Sequence, residues 1–102
     1  MKILYLTIKK KYFDMIPDPK DEEYREYKNY WIKRLMSRHF DYDAIRFANG
    51  GHHGPKIPFK LIESRGLCIG QGNPDFGAPK GKDVFILKLG KIIEKGNLKP
   101  AG

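Results

Sequence analysis

Residues 20–31 read KDEEYREYKNYW: four acids, two lysines and an arginine share the stretch with three tyrosines and the chain's one tryptophan. A solvated helix or a disordered segment can carry that much charge, but neither needs rings between the charges. The stretch is therefore read as folded around its charges. Residues 22–27 alternate, Glu23, Arg25 and Tyr27 pointing one way and Glu22, Tyr24 and Glu26 the other, as in a strand. From Asn29 the period changes. Asn29 is a good cap, and Ile32, Leu35 and Met36 fall at i, i+3 and i+4 with Lys33, Arg34 and Arg38 outside, which predicts a helix closed by His39 and Phe40.

Upstream, ILYLTI puts Leu4, Leu6 and Ile8 on one face of a strand over 2–8. Tyr12, Phe13, Met15 and Ile16 then share one side of a short helix that Pro17 and Pro19 stop. Downstream, 42–49 reads as a strand, GGHHGP as a mobile loop, and 57–70 as one long or bent strand with Gly66 marking a bulge. The run GQGNPDFGAPKGK, 70–82, is turn-rich and predicted irregular; 83–93 is a largely buried strand, and 95–102 a fraying tail. This order predicts one α+β domain over 1–102, mostly antiparallel. Two short helices cannot cover both faces of an open sheet, so the sheet is expected to curl into a small β-barrel.

The 102 residues, 40% hydrophobic and 13% aromatic, suffice for one core. Twenty Lys plus Arg against twelve Asp plus Glu give a formal charge of +8, which favours a polyanionic partner. Residues 1–40 and 41–102 each hold ten basic and six acidic side chains, so a positive patch has to be assembled by folding. Cys68 is the only cysteine, which excludes an intrachain disulfide and a multi-cysteine zinc site. With no membrane-spanning run and an apolar start too short for a signal peptide, the expectation is a cytoplasmic protein with no membrane partner.

Lys20, Glu23 and Arg25, after a strand and a short helix, resemble the motif of the ASCH (ASC-1 homology) family, whose fold is related to PUA domains. That motif reads Gly-x-Lys-x-x-Glu-x-Arg; here Lys20, Glu23 and Arg25 match and Asp18 stands at the glycine. YREYKNYWIKRL, GNPDFGAP and VFILKLG are similar to a bacterial and phage branch of the family, so the resemblance spans nearly the whole chain. It implies a PUA-like barrel whose motif lines a cleft, and an RNA-related role. Some small members are amidohydrolases on an acylated cytidine, using a lysine, a threonine three positions later and a later glutamate. Lys20 matches that lysine, but Glu23 occupies the threonine position. Others are reported as ribonucleases, a chemistry open to Lys20 and Glu23 as an acid–base pair.

From the residues themselves, Glu23 can orient Arg25, and a fixed guanidinium beside Tyr24 suits a splayed nucleobase. Lys20 can take a phosphate as a point charge, and Lys33 and Arg34 can form a phosphate-binding strip with Lys28 and Arg38 nearby. Gln71 and Asn73 offer amides to base edges from one lip of the cleft. Gly81-Lys82 is followed by Asp83 and a strand, so the glycine-rich run is not a phosphate loop. His52 and His53 lack acidic or cysteine partners at ligand spacing; neither metal nor cofactor is expected. The expected function is binding of single-stranded or modified RNA (or a nucleotide) in a basic cleft. The alternatives are a hydrolase of RNA or a modified nucleoside, and a protein-interaction domain regulating transcription or translation.

Overall fold

The computed structural model describes residues 1–36 and 39–98. Its elements are β1 (Ile3–Ile8), α1 (Lys10–Phe13), β2 (Glu22–Glu26), α2 (Asn29–Met36), β3 (Ala44–Asn49), β4 (Phe59–Gln71), a 3-10 turn (Pro74–Phe76) and β5 (Asp83–Gly96). The strands form one sheet in the order β1-β3-β4-β5-β2. Three of its pairings are antiparallel, whereas β1 and β3 run parallel from Ile3 opposite Ala44 to Ile8 opposite Asn49. This is the α+β, mostly antiparallel arrangement that the order of apolar patterns predicts.

The core follows from the alternation. Leu4, Leu6 and Ile8 from β1, Ile45 and Phe47 from β3, Ile62 from β4 and Phe85, Leu87 and Leu89 from β5 pack together, and α1 and α2 contribute Phe13 and Leu35. The opposite face of β5 is buried as well: Val84 and Ile86 pack with Tyr24 and Ala78 beneath the run that follows β4. Gly66, at φ +111°, lies where the β4–β5 register shifts between Ser64 and Leu67, so the bulge falls where the sequence places it.

Several boundaries differ from expectation. Helix α1 closes after one turn because the chain must bring both Phe13 and Ile16 into the core, with turns between them. Helix α2 is described over Asn29–Met36, and His39 and Phe40 are not helical, His39 at φ 54°. Arg38 lies outside the described residues. The predicted irregular run contains the 3-10 turn, capped by the Asn73 side chain, which accepts from the Asp75 N–H at 2.9 Å. Strand β5 continues to Gly96, into the segment expected to fray; 99–102 lie outside the described residues. The GGHHGP loop is tied down, because His53 Nε2 contacts the Leu6 carbonyl at 3.1 Å and Arg46 Nη1 contacts Nδ1 at 2.6 Å.

The backbone ladder does not close, leaving β1 and β2 as its edges. The sheet curls far enough that Arg25 on β2 donates to the Thr7 carbonyl of β1 at 2.9 Å. A side chain thus crosses a seam that no strand pairing bridges. Among the described residues no helix is long and apolar enough to cross a membrane.

Helix α1 is held from below by Lys60, whose buried ammonium donates to the Phe13 and Ile16 carbonyls at 2.7 and 3.0 Å. These carbonyls have no following helical turn to satisfy them. Lys60→Met keeps the stem but strands both acceptors, and is expected to lower unfolding free energy by about 1–3 kcal/mol in urea titrations.

Candidate functional site

An open cleft of about 790 Å³ occupies the seam between the sheet edges. Thr7, Ile8 and Lys9 form one wall and Glu23, Tyr24, Arg25 and Glu26 the facing one. Tyr12, Trp31 and Phe76 bring further rings from α1, α2 and the 3-10 turn, and Asn49, Gly50 and Gly51 close the end of β3. The cleft exists because a curled sheet leaves its two edges facing each other without pairing.

Glu23 organises the wall. Its Oε1 accepts from the Lys20 ammonium and from the Tyr24 N–H, both at 3.0 Å, while Oε2 lies 3.1 Å from Arg25 Nη1. Lys20 has no exposed surface. Its ammonium also donates to the Glu22 carbonyl and lies 4.7 and 5.6 Å from the ring centres of Tyr24 and Tyr12. Burial lowers its pKa below the ordinary lysine value, against the opposing pull of Glu23. Arg25 donates through Nη1 to the Tyr24 carbonyl at 3.2 Å, spans the seam to Thr7, and lies 5.3 Å from the Trp31 ring. Its guanidinium is therefore fixed from three directions.

Tyr24 ties β2 to the glycine-rich run. Its hydroxyl donates to Glu22 Oε1 at 2.9 Å and accepts from the Asn73 N–H at 3.1 Å. Gly72 is required by this contact, since a Cβ there would come within 2.5 Å of Tyr24 Cε1. Gly77, at φ +99°, similarly admits the Tyr12 ring, and its Cβ position lies 3.0 Å from Tyr12 Cζ. Burial pushes the Tyr24 phenol up to about 12. Burial also raises the Glu22 carboxyl, but hydrogen bonds from Lys88 and Tyr24 outweigh it and hold the group below the usual value.

Of the residues singled out in the sequence, Glu23, Tyr24 and Arg25 line the cleft together, with Lys20 beneath them. Lys33 and Arg34 border a separate hollow with Lys2 and His39, and Arg34 also turns towards β1. Gln71 and Asn73 are exposed but stand outside the cleft lining, where Phe76 and Gly77 take their place on the lip. Sequence reasoning missed Thr7, Tyr12, Asn49 and Phe76. The available signals were Asn49-Gly50-Gly51 at a strand end and glycines at 72 and 77 spaced to receive rings. Among the described residues no cluster of three or more His, Cys, Asp or Glu is placed to hold a metal ion.

Comparison of the chain with family models, with curated proteins and with solved structures finds no match.

Replacing Glu23 by Gln leaves the Lys20 ammonium buried without its carboxylate and is expected to cost about 3–5 kcal/mol. Lys20→Met with Glu23→Gln should cost less than the sum of the single changes, as a double-mutant cycle by denaturant titration would show. For Tyr24 the folded value lies above the ordinary 10.0, so its burial stabilises fully below pH 10 and the contribution is lost as pH rises towards about 12. The phenolate absorbance of native protein minus Tyr24→Phe should accordingly rise near pH 12.

Proposed function

We propose that the protein is a nucleic-acid-binding module that holds single-stranded or modified RNA in the cleft beside Arg25. One observation carries this reading: a guanidinium fixed by Glu23 and Thr7 stands among the rings of Tyr12, Tyr24, Trp31 and Phe76 in an open cleft. A splayed base needs flat apolar surface and directed donors, and stacking contributes about 1–3 kcal/mol per base. The +8 charge supplies attraction to phosphates. The resemblance to the ASCH family supports the same site, because the matching Glu23 and Arg25 lie on the cleft wall. Side-chain closure of the seam by Arg25 supports a PUA-like barrel as the parent architecture. The single exposed thiol, Cys68, suits a reducing cytoplasm.

Hydrolysis of RNA or of an acylated nucleoside fits the geometry less well. Lys20 has no surface from which to reach a substrate, and the Glu23 carboxylate is engaged by Lys20, Arg25 and the Tyr24 N–H. A general base needs hydrogen-bond reach to the proton it removes.

A labelled oligouridylate should quench Trp31 fluorescence and bind less tightly as salt rises. Arg25→Ala should weaken binding by about 1–3 kcal/mol with its circular dichroism spectrum retained. Binding indifferent to salt, or an Arg25→Ala protein that binds like the native one, would remove the cleft from consideration. The native protein is expected not to deacylate an acylated cytidine; turnover abolished by Lys20→Ala in a folded protein would establish the hydrolase instead.

A further inference from the structure

Beyond Trp31 the cleft continues into a smaller hollow of about 390 Å³, and the two share Thr7, Arg25 and Trp31. Their charges differ in kind. In the larger cleft Lys9 and Arg25 are matched in number by Glu23 and Glu26, so the formal charges balance around four rings. The smaller hollow holds Arg25 and Arg34 and no carboxylate among its lining residues.

Arg34 differs from Arg25 in its partners. Arg25 is matched by Glu23, whereas among the described residues Arg34 donates to neutral acceptors, the Tyr5 carbonyl at 2.8 Å and the Tyr30 hydroxyl at 3.2 Å. A guanidinium has five N–H donors, so these bonds leave donors for an anion. Its position is nonetheless fixed, because the same group lies 5.4 Å from the Trp31 ring. His53, on the far wall, accepts from Arg46 through Nδ1 and donates through Nε2 to the Leu6 carbonyl, so it brings no negative charge.

From this partition of charge we propose that the natural occupant is a nucleic-acid strand and not a free nucleoside. One base lies in the charge-balanced aromatic cleft, and the phosphate linking it to the next nucleotide passes Trp31 to reach Arg34. The inference rests on the nucleic-acid reading above and adds the direction of the strand's path and the residue that takes its phosphate. An acidic peptide would satisfy Arg34 with its carboxylates, but those carboxylates put no flat uncharged group into the larger cleft, whereas every nucleotide carries a base beside its phosphate.

The test compares uridine, uridine monophosphate and a labelled short oligouridylate on native protein and Arg34→Gln, by calorimetry and Trp31 fluorescence. Arg34→Gln should weaken oligouridylate binding about tenfold and make the plot of log affinity against log salt shallower by about 0.7. Uridine binding should not change. Tyr30→Glu, at an exposed ring beside Arg34, neutralises the same guanidinium without removing it and should reproduce the loss, which covers the case in which Arg34→Gln fails to fold. Oligouridylate binding unchanged in both variants overturns the phosphate path and leaves the binding module standing. Equal affinity of native protein for uridine and oligouridylate overturns the strand. Displacement of oligouridylate by polyglutamate at matching affinity assigns the groove to acidic protein. Failure of every probe to bind overturns the nucleic-acid reading and this inference with it.

Discussion

A lysine with no solvent contact is stable in this fold because one carboxylate stands beside it, and that carboxylate also holds the arginine that spans the open side of the sheet. Lys20, Glu23 and Arg25 form a charge chain running from the interior to the cleft. Desolvation penalises the ammonium and the guanidinium; the shared carboxylate offsets both. The geometry of the seam follows from this arrangement. Arg25 can reach Thr7 because Glu23 sets its origin, and Trp31 packs near a guanidinium that does not wander.

The local elements were legible because each rests on a short-range pattern. Leu4, Leu6 and Ile8 alternate and Gly66 interrupts a long apolar strand as the pattern says; the helical period also starts at Asn29, but Asn29 is the first residue of α2 and not its cap, since the Lys28 carbonyl accepts the first helical bond, from the Ile32 N–H at 2.9 Å. The pairing was less legible. Nothing in ILYLTI or AIRFAN states that these strands run parallel, since alternation specifies a face and not a partner. Whether the sheet closes depends on how far β4 and β5 bend over their register shifts, which is a property of the assembled hairpin.

The site was legible in part for the same reason. Glu23, Tyr24 and Arg25 are neighbours in sequence, and a strand carries them to one wall. Thr7, Tyr12, Asn49 and Phe76 come from four different elements and meet only because the sheet curls. Lys20 is the opposite case: the sequence offers it as a phosphate contact or an acid–base group, whereas the structure leaves it no exposed surface and sets it against two tyrosine rings.

The seam has a consequence for colloidal behaviour. An edge strand with free carbonyls is a template on which another chain can add a strand. On β1 the Tyr5 and Thr7 carbonyls are occupied by Arg34 and Arg25, so the cationic groups beside the cleft also occupy the edge of the sheet. The arginines that border the cleft and its neighbouring hollow and the protection against edge-to-edge association are thus the same two side chains. Changes made to retune the cleft will alter solubility at the same time, and a variant lacking both arginines will present a bare strand to its neighbours.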